Sequence, residues 1–163
     1  MLTLYKILSF ILLPIAAILA AFTAIGLLMA LANPAALLPL FMMACSVIYV
    51  FTSFSFLQKA IMGNRPVKAK LRDWIRVNAF VAIFVAVLNL TNGIILFTNT
   101  AMLKEAGEQA MATIKQMNTP FPYDIIKTMK AVLLFMIAFG AVMVTHILFT
   151  FRFIKKYRDY FSL

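Results

Sequence analysis

The chain offers little for acid–base, nucleophilic or metal chemistry. It has one histidine, His146, one cysteine, Cys45, and five acids, Asp73, Glu105, Glu108, Asp124 and Asp159. One imidazole excludes any site needing two from one chain. One thiol excludes an intrachain disulfide and a multi-cysteine metal centre. Each acid lies close to other charged residues. No G-x-S-x-G elbow, H-E-x-x-H helix or glycine-rich phosphate loop is present, and the five glycines stand singly. The expectation is a chain with no catalytic, metal or cofactor site.

What remains is uncharged polarity inside apolar stretches. Asn78, Asn92 and Asn99 are separated by multiples of seven and so share a helix face, with Asn89 one turn before Asn92. At 1.5 Å per residue, Asn89 and Asn92 stand roughly 20–24 Å above Arg76, Ser46 roughly 20 Å above Lys59, and Thr23 roughly 25 Å above Lys6. Those four residues could meet at one level. A second level sits lower: His146 roughly 9 Å from Arg152, Ser53 roughly 9 Å from Lys59, and Thr150, Ser9 and Asn78 lower still. Tyr49 stands between the two. Thr23, Ser46, Tyr49, Asn89, Asn92 and His146 are therefore the candidates for a polar cavity or an interhelical hydrogen-bond network. His146 is expected to bond Thr145, Thr150 or a neighbouring helix, with a pH-sensing or ligand-binding role as the alternative.

The elements that must position these residues follow from composition. Of 163 residues, 64% are hydrophobic and 12% charged, against about 45–50% and about 25% in soluble domains. A soluble globular enzyme and a disordered chain are both excluded. Uncharged runs at 7–58, 77–103 and 131–151 are long enough for four spans of about 20 residues. Asn33-Pro34, a helix cap followed by a first-turn proline, splits the longest. The spans are read as TM1 about 7–31, TM2 about 37–58, TM3 about 77–98 and TM4 about 131–151. Pro14 is expected to bend TM1. The fold class is all-α: a polytopic transmembrane four-helix bundle, one membrane domain covering 1–163. A cleaved signal has a shorter apolar core than the first run, so that run is read as an uncleaved span.

Between TM3 and TM4, Leu103, Ala106, Ala110, Ile114 and Met117 recur at steps of three and four. They make one apolar stripe on a short extramembrane amphipathic helix, about 101–117. This helix is expected to lie on the membrane surface, or to continue TM3 and pack on TM4. The run N-T-P-F-P at 118–122 ends it.

Net charge is +10, but the basic residues flank apolar runs, so the expected partner is anionic lipid rather than nucleic acid. Lys6, Lys59, Arg65, Lys68, Lys70, Arg72, Arg76, Arg152, Lys155, Lys156 and Arg158 fall on one side, and Lys104, Lys115, Lys127 and Lys130 on the other. Eleven against four predicts cytoplasmic N- and C-termini, in what is read as a bacterial inner membrane. Arg65, Lys68, Lys70, Arg72, Arg76, Lys155 and Lys156 are the candidate contacts for anionic headgroups. Trp74, Tyr157 and Tyr160 on that side, and Phe121 and Tyr123 on the other, fit interfacial belts.

Small residues recur on TM1 (Ala16, Ala20, Ala24, beside Ala17 and Ala21) and TM4 (Ala138, Ala141, Thr145, near Gly140). They allow close helix approach within the bundle, in a homo-oligomer or against another membrane protein. Two functions are expected. The first is a non-enzymatic accessory, scaffold or partner-binding subunit. The second is an oligomeric pore or carrier for a small neutral solute or ion, using the polar face of TM3. Carboxylates and basic groups that couple ions inside membranes are missing from the spans.

Overall fold

The structure is a computed structural model that describes residues 1–30, 33–116 and 123–162. It is all-α. Helix α1 runs Leu2–Ala30, α2 Leu37–Phe56, α3 Ala69–Thr98, α4 Thr100–Gln116 and α5 Ile125–Lys156. Among the described residues four segments are long and apolar enough to cross a membrane: Leu2–Ala30, Pro34–Met62, Ala69–Thr98 and Ile125–Lys156. These match the four expected spans, and α4 matches the amphipathic helix. Many large apolar side chains point outward, among them Phe22, Leu28 and Phe80. Water would not tolerate so much exposed apolar surface, whereas lipid does. The breaker at 118–122, with Phe121, lies outside the described residues, as do Met117 and Leu31.

The α1–α2 corner forms as the residue types dictate. Asn33 Oδ1 accepts from the Ala35 N–H at 3.2 Å, and Pro34 opens a single 3-10 turn, Pro34–Ala36, that leads into α2. Helix α1 continues through Pro14. Helix α3 begins eight residues before the expected span, because the charged stretch with Lys70, Arg72, Asp73 and Arg76 is helical too. Asp124 starts α5 six residues early. Its Oδ1 accepts from Ile126 N at 2.9 Å and Lys127 N at 3.1 Å, a cap that stabilises a helix by about 1 kcal/mol.

The chain divides into two compact units, 1–85 with 142–163, and 86–141. In the first, α1, α2, the start of α3 and the end of α5 share a core that includes Tyr5, Leu12, Phe56, Leu57, Ile75 and Ile147. Helix α2 ends in a π-helical turn, Leu57–Met62. A two-residue parallel bridge then pairs β1 (Val67–Lys68) with β2 (Phe161–Ser162), joining the α2–α3 turn to the C-terminal segment. Phe56 stacks on Phe161, with centroids 5.3 Å apart.

The second unit is built on close approach at glycines. Asn99 alone separates α3 from α4 and caps the latter, its Oδ1 accepting from Met102 N at 3.1 Å. Leu103 and Gly107 are buried, and a β-carbon on Gly107 would stand 2.7 Å from Ile126 Cδ1. Helix α4 therefore packs on the first turns of α5, the second of its two expected placements. A β-carbon on Gly140 would meet Leu90 Cγ at 2.8 Å and the Ala86 carbonyl oxygen at 3.0 Å. Backbone cannot yield as a flexible side chain can. Gly140→Ala should therefore destabilise the protein by about 1–3 kcal/mol, read as a lower midpoint of unfolding in detergent. An unchanged midpoint would show that α3 and α5 are not in close contact there.

Candidate functional site

The lower polar level comes together around His146. Its Nε2 lies 2.8 Å from Ser9 Oγ on α1, and its Nδ1 lies 2.7 Å from the Tyr49 hydroxyl on α2. Tyr49 is 2.8 Å from Thr150 Oγ1, which donates at 2.8 Å to the His146 carbonyl one turn back on α5. Ser9 Oγ donates at 2.8 Å to the Tyr5 carbonyl. Thr150 Oγ1 also lies 3.4 Å from the Tyr5 hydroxyl. The Tyr5 ring stacks on the imidazole (4.9 Å, 18°), and Tyr49 meets it edge-on (5.7 Å, 76°). Tyr5, Tyr49 and His146 are 0% exposed, and Ser9 and Thr150 are 1% exposed.

The donor count shows what this arrangement can do. A neutral imidazole carries one hydrogen, so one ring nitrogen donates and the other accepts, and Ser9 and Tyr49 can each take either complementary role. A neutral imidazole completes both bonds, and no charge is placed in an apolar interior. Both ring nitrogens are already in use, so neither remains to bind a metal or a ligand. The arrangement is a clamp that ties α1 and α2 to α5.

The other candidates do not join it. Thr23 and Ser46 are buried, but each donates to its own helix, Thr23 to the Leu19 carbonyl at 2.7 Å and Ser46 to that of Met42 at 3.1 Å. Ser53 and Asn78 do likewise, to Val50 and Trp74. A short side chain can satisfy itself in this way one turn back along a helix. Asn89 is half-buried and Asn92 exposed, and among the described residues neither amide bonds to another helix. Thr23 and Ser46 belong to the first unit, and Asn89 and Asn92 to the second. Of the expected partners of His146, neighbouring helices hold the ring, through Ser9 on α1 and Tyr49 on α2, while Thr150 takes part through the His146 carbonyl and Tyr49. Tyr5 escaped the sequence reading because it adjoins Lys6 at a charged helix end. Its four-residue spacing from Ser9 was the available signal. Among the described residues no buried side-chain nitrogen or oxygen lacks a partner, and no cluster of three metal-ligating residues occurs.

Of the candidate lipid contacts, Arg65, Lys68, Lys70, Arg76, Lys155 and Lys156 are exposed. Arg72 is engaged, with Nε 3.3 Å from Asp73 Oδ1 and its guanidinium 5.9 Å from the centre of the Phe161 ring. Compared with protein-family models, curated proteins and solved structures, the chain matches none.

Removing the Tyr49 hydroxyl would leave Nδ1 buried without a partner. Tyr49→Phe should destabilise the protein by about 1–2 kcal/mol. The loss should be strongly non-additive with Ser9→Ala, since both act on one ring. Additive losses in a double-mutant cycle would separate the two bonds and contradict the clamp.

Proposed function

We propose that the protein is a non-enzymatic subunit of a membrane assembly, a scaffold or accessory chain that presents its helices to a partner. One observation carries this reading. The polar groups that α1, α2 and α5 turn inward complete one another in a closed network, which favours a structural role over a solute path. The carrier reading relied on the asparagine face of α3, and the outward position of Asn92 weighs against a path enclosed by this chain.

The outward surface supports a partner. Ala16 is buried in the first unit, whereas Ala17, Ala21 and Ala24 are exposed along α1. Such a face lets a second helix approach closely in lipid. The amide of Asn92 is costly in hydrocarbon and would gain a hydrogen bond from a helix laid against it. The partner is a second copy or another membrane protein. We place the protein in a bacterial cytoplasmic membrane with both termini inside, on the eleven-to-four division of basic residues.

Purification in mild detergent from native membranes tests the assignment. A stoichiometric companion, or a defined homo-oligomer, is expected. Ala21→Leu should weaken that association several-fold and leave the unfolding midpoint unchanged, whereas Ala16→Leu should lower the midpoint. A chain that stays monomeric and alone, and conducts a solute in reconstituted vesicles, would overturn the proposal in favour of a carrier.

A further inference from the structure

Where α2 turns into α3, the chain forms an open hollow of about 410 Å³, lined by Ser55, Lys59, Pro66, Val67, Lys68, Lys70, Leu71 and Trp74. Local structure fixes its walls. The π-helical turn carries Lys59 to one side. Gly63 N donates to the Gln58 carbonyl and Arg65 N to that of Lys59, both at 3.0 Å, closing the turn. Asn64 takes a left-handed backbone (φ 47°), which asparagine tolerates better than most residues. The bridge between β1 and β2 then holds Val67, 5% exposed, and with it Lys68. The lysines are therefore presented by paired backbone and not by a free loop.

Three lysines line the hollow and no acid does. Among the described residues Arg72 pairs with Asp73, and no ion pair joins Lys59, Lys68 or Lys70 to an acid. Pro66, Val67, Leu71 and Trp74 supply an apolar wall beside the cationic one. The chain's one tryptophan is of the type that anchors at headgroup level.

We propose that this hollow is a binding site for a phosphate-bearing anion, seated between Lys59, Lys68 and Lys70 and against Trp74. The apolar wall suits the glycerol and first acyl carbons of an anionic phospholipid, while free phosphate shares the charge chemistry alone. The site stands independently of the scaffold reading, because it requires no protein partner.

Trp74 makes the test direct, since its fluorescence reports one place. The full chain is reconstituted in phosphatidylcholine vesicles containing equal fractions of brominated phosphatidylglycerol or brominated phosphatidylcholine. Brominated anionic lipid should be enriched at Trp74 by at least about threefold, given roughly fivefold for each well-placed lysine before screening. Lys59→Gln with Lys68→Gln and Lys70→Gln should bring the ratio to near one. The same charge removed at Arg152, Lys155 and Lys156 should leave it unchanged. Should the triple variant not fold, Lys59→Gln alone should lower the ratio measurably. Inorganic phosphate that abolishes the enrichment, where chloride at equal ionic strength does not, would assign the site to soluble phosphate. Failure to compete would assign it to lipid. Equal quenching by the two lipids with no effect of phosphate, or an equal loss in both triple variants, would overturn the site.

Discussion

Hydrocarbon supplies no hydrogen bonds, so a polar side chain turned inward must find its partner in protein. That constraint accounts for the first unit of this chain. An imidazole and two phenols are large, polar and fully buried there, and each is fixed by groups on other helices. Ser9 and Tyr49 reach the ring from opposite sides, and the Tyr5 ring covers its face. Without the clamp, the apolar faces of α1, α2 and α5 could slide past one another at little cost, because lipid is as apolar as leucine. The ring bonds specify one register, since a shift of one residue would misalign both at once.

The spans were legible because long uncharged runs have few alternatives to crossing a bilayer. Asn33 and Pro34 also behaved as their types require. The helix ends were less legible. Hydropathy marks where charge begins, but a helix has no reason to stop there, and α3 continues through Lys70 to Arg76 while Asp124 caps α5 earlier. Height along the spans put His146, Ser53, Thr150, Ser9 and Asn78 in the lower set, and the structure joins His146, Thr150 and Ser9, while Ser53 and Asn78 bond their own helices. The asparagines of α3 show the limit of that reasoning. A spacing of seven places residues on one face without saying which way the face turns, and Asn99 serves as a cap at a helix junction. Thr23 and Ser46 were placed at a common height, but hydroxyls that can bond their own helix need no partner across a bundle.

The basic side of the chain follows a different rule. Charge alone would draw an anionic surface, and any sequence with the same count would do as much. The structure adds concavity. A π turn, a left-handed asparagine and a short parallel bridge hold three lysines around a hollow, while Arg72 is diverted to Asp73 and Phe161. The unequal employment of neighbouring cations is a property of the fold and not of the charge count.

The clamp is most directly tested on His146 itself. Because the chain contains one histidine, isotope labelling of that residue type in bilayers gives a single ring to observe by solid-state nuclear magnetic resonance. A neutral ring, with both nitrogens hydrogen-bonded and the ring proton protected from exchange with deuterated water, is the predicted spectrum. A ring whose proton exchanges freely with water, or that has a nitrogen without a hydrogen bond, would contradict the closed network on which the account rests.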